Sequence, residues 1–209
     1  MNPVTPLPVA PKPAPAPTAA PVRDLGPNRI GERAAALERM SNAELEIVFM
    51  RAVTPDPAKL VGWEFRGTNV PPWMRLIRNK KFVKGMVRDE RGDLYGYNCP
   101  CVQNALDEPW ITKPDDRAPT RFGFYRVDAV DPTARDNTYL HALLLDYGKG
   151  GNKALDPTAG LRDYLVQVDA QNDDLYLGKA YYAVGPARVF TNFFVLERLR
   201  PGITELVRR

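Results

Sequence analysis

The chain reads as mainly β: an antiparallel β-barrel behind a short N-terminal helical segment and a disordered tail. Three observations lead there. From residue 60 onward, apolar and alternating runs recur at short spacing with turn residues between them. Beyond the first two strands, no gap carries the amphipathic helix that a parallel crossover would need. Over residues 1–27, proline comes at nearly every second position and no aromatic residue occurs. Such a stretch buries too little apolar surface to offset chain entropy, so it is expected to be extended and polyproline-like.

The elements follow in order. Within 28–58, Ala34, Leu37, Leu45, Val48 and Phe49 can share a face, and Ser41 with Glu44 forms a capping-box signature. The spacing predicts one helix near 31–39 and another over 42–52, stopped by Thr54-Pro55-Asp56-Pro57. Strands are expected at 60–70, 81–87, 94–99, 121–130, 139–147, 161–168, 175–184 and 188–199. The pairs around DERG and DAQNDD read as hairpins. Between the first two strands, residues 72–81 predict a short amphipathic helix lying across an open barrel end. Trp73, Met74 and Ile77 mark one face, and Arg75, Arg78 and Lys80 the other. The division is a tail at 1–27, a helical segment at 28–58 packed on the barrel, and the barrel at 59–209.

Charge excludes one large class of partner. Twenty-nine basic and 25 acidic residues leave +4 over 209 residues, with the two signs interspersed. The densest basic group is Arg75, Arg78, Lys80, Lys81 and Lys84, and no nucleic-acid signature accompanies it. No apolar run is long enough to span a bilayer, so a membrane contact would be peripheral, through the basic 72–81 segment. The start lacks the pattern of a secretory leader, which sets the expectation of a cytoplasmic protein. Cys99 and Cys101 flank a single proline, too close for an unstrained disulfide, and no cysteine or histidine cluster completes a metal site. Gly148-Lys149-Gly150-Gly151 lacks the phosphate-loop order and reads as a hairpin loop. No metal and no cofactor is expected.

Aromatic residues carry the functional expectation. Trp63, Phe65, Trp73, Phe122, Phe124, His141, Tyr164, Tyr182 and Phe194 are the candidate lining for a small hydrophobic ligand inside the barrel. Asp163 and His141 are the candidate acid/base groups, with Tyr164 beside Asp163. His141, the sole histidine, is expected on a central strand. The structural alternative for Asp163 is an ion pair with Arg162, Arg198 or Arg66. Three readings stand: a non-enzymatic carrier or sensor, an enzyme acting on a small apolar ligand by acid/base chemistry, and an interaction module contacting a protein partner through the tail.

The residues also support a comparison. Leu60-Val61-Gly62-Trp63-Glu64-Phe65-Arg66-Gly67 resembles the opening of the GXWXG-type family, whose function is unknown. Asp146-Tyr147, Leu161-Arg162-Asp163-Tyr164, Val168-Asp169, Leu177-Gly178-Lys179 and Phe193 to Arg198 resemble that family's second half, so the likeness spans about residues 44–199. The motif here is G-W-x-x-x-G, which departs by one position from the name-giving pattern. The resemblance implies a calycin-like β-barrel and no particular activity. Lipocalin-like barrels offer a second likeness: Gly62-Trp63 would open the first strand, and Arg198 would lie over the indole.

Overall fold

The computed structural model describes residues 25–153 and 155–203. The tail expected over 1–27 lies outside the described residues except for 25–27. Two helices, α1 (Glu32–Glu38) and α2 (Asn42–Arg51), precede eight strands. The strands are β1 (Trp63–Asn69), β2 (Lys81–Arg88), β3 (Leu94–Pro100), β4 (Phe122–Ala129), β5 (Leu143–Asp146), β6 (Leu161–Gln167), β7 (Leu175–Val184) and β8 (Ala187–Pro201). Each pairs antiparallel with its sequence neighbour, and β8 returns to β1, closing the barrel. Closure removes the exposed sheet edge that would otherwise invite pairing with another chain.

Local chemistry sets the helix boundaries. Ser41 Oγ accepts from the Glu44 amide at 3.3 Å, and the Glu44 carboxylate accepts from the Ser41 amide at 2.8 Å. This capping box starts α2. The helix ends at Ala52, just ahead of the Thr54-Pro55 breaker.

Side-chain alternation divides the apolar residues among three clusters. The barrel interior holds Phe65, Met86, Tyr125, Leu145, Leu165 and Leu196, among others. Outward-facing Leu144, Tyr164, Val166, Leu177, Phe193 and Val195 meet Ala34, Leu37, Leu45 and Phe49 of the two helices. On the opposite side Val83, Val87, Tyr95, Tyr97 and Cys99 lie under the long connection after β3, which contributes Cys101 and Trp110. Strands covered on both faces lose the apolar/polar alternation of a half-solvated sheet.

Three expectations are corrected. Residues 72–81 do not form an amphipathic α-helix: only Pro72–Arg75 is helical, as a 3-10 helix, and Arg78 then enters the left-handed region at φ 54°. Met74 is buried, while Trp73, Leu76 and Ile77 are exposed, so the three predicted apolar residues do not share one packed face. His141 is not on a central strand. It sits in the turn closed by the Ala142 amide on the Tyr139 carbonyl at 3.1 Å, and β5 begins two residues later. The basic group is also dispersed. Lys80, Lys81 and Lys84 are all buried, leaving Arg75 and Arg78 as its exposed members. Lys80 bonds Glu38 at 2.5 Å, whereas Lys81 lies 3.9 Å over the Trp110 ring and donates to Asn104 and to the carbonyls of Ala105, Glu108 and Pro109.

Cys99 and Cys101 are free and buried against this outer cluster. Burial pushes both thiols up to about 12, above the roughly 8.5 of an unfolded cysteine. Their folded values are raised, so the stability they contribute is complete below about pH 8.5 and is lost as pH rises through the folded value. At pH 8 the native thiols should therefore resist a disulfide reagent such as Ellman's, and both should react once denaturant unfolds the chain. Rapid native-state modification would show that the connection over Trp110 opens readily.

Candidate functional site

Because each strand pairs with its neighbour, the β1–β2, β3–β4, β5–β6 and β7–β8 connections gather at one end of the barrel. A cavity of about 320 Å³ lies there. Phe82, Leu161, Ala180 and Phe194 supply apolar wall, and Trp73, Met74, Phe122 and Thr158 come from the rim. Asn192 donates to Asn69 at 2.8 Å, satisfying two of the polar wall groups against each other.

Two glycines keep this space open. Gly67 pairs with Phe82 across β1–β2, and Gly178 pairs with Phe194 across β7–β8. In each case a Cβ on the glycine would strike the partner's ring. The rings can lie flat along the wall because the neighbouring strand carries no side chain at that point.

At the buried end, Lys84 of β2 and Asp163 of β6 reach toward each other from opposite walls. Lys84 Nζ lies 3.4 Å from Asp163 Oδ2, and the two side chains are 3% and 4% exposed. Lys84 also donates to Asn98 Oδ1 at 3.0 Å and to the Tyr147 hydroxyl. That hydroxyl donates to Asp163 Oδ2 at 3.2 Å and accepts from Asn98 Nδ2, which also donates to the Gly123 carbonyl at 2.8 Å. The Gly123 contact fixes which end of the Asn98 amide faces Lys84. The rings of Tyr125, Tyr147 and Phe194 surround the ammonium at 4.6, 5.0 and 5.2 Å.

Donor counting fits an ammonium at Lys84 facing a carboxylate at Asp163. Three acceptors surround Lys84 Nζ, matching an ammonium's three hydrogens. Burial pushes Lys84 below the usual lysine range while Asp163 opposes the change. Burial pushes Asp163 above the usual carboxylate range while Lys84 and Tyr147 oppose it. Every Lys84, Tyr147 and Asn98 side-chain hydrogen on nitrogen or oxygen has an acceptor. Asp163 Oδ1 has no hydrogen-bond partner among the described residues.

The expected site residues separate accordingly. Trp73, Phe122, Phe194 and Asp163 border the cavity. Trp63 and Phe65 lie toward the other end, 4.5 and 5.3 Å from the Arg198 guanidinium. Phe124 packs against the outer cluster that includes Trp110. Tyr164 stands outside the barrel wall with Tyr139 and Tyr181, and His141 Nε2 meets the Phe49 carbonyl at 3.1 Å. Tyr182 is half-buried, its ring over Gly160. The arginines expected to pair with Asp163 have other partners: Arg162 with Asp136 and Asp146, Arg198 with Asp174, and Arg66 with Glu197. Among the described residues, no group of three or more His, Cys, Asp or Glu side chains could hold a metal ion, and no helix is long and apolar enough to cross a membrane.

Sequence reasoning missed Lys84, Tyr147 and Asn98. The signal for Lys84 was present. In Phe82-Val83-Lys84-Gly85-Met86 the lysine occupies the same face as Phe82 and Met86, which puts a charge in an apolar row.

The fold and site define a closed eight-stranded antiparallel barrel with a part-filled interior and an apolar cavity ending on a buried ionic network. Comparison of the chain with known protein families and with curated proteins finds no match.

Proposed function

We propose that this protein is a calycin-like carrier or sensor, related to the GXWXG-type barrels, that binds a small and largely apolar molecule in the cavity. The observation carrying this reading is where interior packing stops. Large side chains fill most of the barrel, yet about 320 Å³ stays open beside the Phe82 and Phe194 rings, which pack edge-on against each other. That volume takes roughly ten water-sized groups, the scale of a monocyclic aromatic or a short acyl chain. Gly62-Trp63 at the start of β1 and Arg198 above the indole support the calycin-like relation. The exposed Trp73, Leu76 and Ile77 beside Arg75 and Arg78 put a rim suited to peripheral membrane contact next to the cavity.

Native mass spectrometry of the gently purified chain, compared with its denatured mass, is the direct test. A co-purifying small molecule is expected. With added para-propylphenol, a Kd below about 1 mM is expected, worth at least roughly 4 kcal/mol. Ala180→Leu, which grows into the cavity, should weaken that binding at least about tenfold while the fold is retained. If no monocyclic probe binds and nothing co-purifies, the proposal fails.

A second reading keeps acid/base catalysis. Its candidate set narrows to Asp163 with Lys84 and Tyr147, because these three meet at the cavity whereas His141 and Tyr164 lie elsewhere.

A further inference from the structure

The hydrogen-bond pattern at the buried end of the cavity is one-sided. Lys84, Tyr147 and Asn98 together offer six N–H and O–H hydrogens, and the six contacts described above account for all of them. An incoming molecule therefore finds no free donor on these three side chains. The unmet group is an acceptor: Asp163 borders the cavity, is 3% exposed, and its buried Oδ1 carries no hydrogen bond. A buried carboxylate oxygen without a donor is costly, and a donor supplied by a ligand removes that cost.

We infer that the cavity selects small apolar molecules bearing one hydrogen-bond donor, an alcohol or phenol O–H or an N–H, which is received by Asp163 Oδ1. This inference rests on the cavity-binding reading above and adds the polar handle that orients the ligand. It also sets what is disfavoured. A free carboxylate would bring negative charge against Asp163, and an ether or ester would place an acceptor against an acceptor. The Phe82 and Phe194 rings receive the apolar body, and Asp163 receives the donor. A few convergent polar groups among apolar walls are the usual basis of orientation in such sites.

The test compares two ligands that differ only at the donor. The full chain is titrated calorimetrically with para-propylphenol and with its methyl ether, para-propylanisole. The phenol is expected to bind at least about tenfold more tightly, the scale of a hydrogen bond to a charged acceptor. Asp163→Asn should abolish that preference. Its amide oxygen would stay toward Lys84 and Tyr147, and its N–H₂ would take the place of Oδ1 and donate to the oxygen of phenol or ether alike. Ala180→Leu should weaken phenol binding, and an unchanged phenol affinity there would put the phenol elsewhere and overturn the assignment. Equal binding of phenol and ether to the native chain overturns donor recognition and leaves the apolar cavity reading standing. Binding of neither overturns donor recognition, and the cavity reading falls with it when nothing co-purifies. Should Asp163→Asn not fold, the native chain's two affinities and Ala180→Leu still decide.

Discussion

Asp163→Ala should destabilise the barrel by about 3–5 kcal/mol, because it leaves a buried ammonium with no compensating charge. Lys84 is 3% exposed and ringed by Tyr125, Tyr147 and Phe194, so water reaches the vacated carboxylate position only from the cavity side. The aromatic faces and the two remaining acceptors, Asn98 Oδ1 and the Tyr147 hydroxyl, recover only part of the loss. Lys84→Met should be similarly damaging, since it strands the carboxylate instead. The informative variant is the double replacement, Lys84→Met with Asp163→Leu. Both charges then leave together and apolar volume replaces them, so most of the stability should return, as removal of a whole buried pair is often neutral or favourable. Urea denaturation of the native chain, Lys84→Met, Asp163→Leu and the double variant closes a double-mutant cycle. A single-variant cost below about 1 kcal/mol, typical of an exposed ion pair, would mean that solvent reaches the pair and that the closed network is not as described. The same double variant should lose any phenol-over-ether preference while keeping a cavity, which separates stability from recognition.

Arg198→Ala should cost about 3 kcal/mol and act at the other end of the barrel. This side chain is 2% exposed. It donates to Asp174 Oδ1 at 2.7 Å and to the carbonyls of Lys59 and Asp173 at 2.9 and 2.7 Å, while its guanidinium covers Trp63. One planar group therefore ties β8 to the segment before β1 and to the β6–β7 connection. Hydrogen bonds involving a charged partner contribute roughly 1.5–3 kcal/mol and a desolvated cation–π contact up to about 2, with incomplete additivity. Arg198→Lys should rescue little, because one ammonium cannot reproduce the fork and the flat contact with the indole. The readout is again the denaturation midpoint, paired with para-propylphenol affinity. Affinity in the folded fraction should hold, since Arg198 does not border the cavity. Loss of binding together with stability would show that the two ends are coupled.

Much of the fold could be read from the residues because its determinants are local. Ser41 and Glu44 start α2 through contacts three residues apart, and the short, turn-separated apolar runs lead to an antiparallel meander. The errors have local causes too. Pro71 and Pro72 favour a helical first turn, but the turn does not propagate: no long apolar face lies beneath it, and Arg78 reverses the backbone. His141 lies beside a strongly apolar run that belongs to β5 only from Leu143 onward, since Tyr139 to Ala142 closes a turn.

The site was less accessible for a topological reason. Lys84 and Asp163 are 79 residues apart and sit on β2 and β6, which are not neighbours in the sheet. Only closure brings opposite walls within reach, and no spacing rule along the chain encodes that meeting. The aromatic roster had the same difficulty. Phe194 faces in and Phe193 faces out because side chains alternate, but which set lines a cavity depends on what covers the outer face. Here helices cover one flank and the connection carrying Trp110 covers another, so inward and outward rows are equally apolar. The sequence by itself determined the mainly β class and the helical lead-in, each set by local pattern, while the Trp63–Arg198 contact came from the lipocalin-like resemblance. Tertiary structure alone decided which aromatics face the cavity, which lysines are buried and where Asp163 finds its partner, because those outcomes depend on long-range packing across a closed barrel.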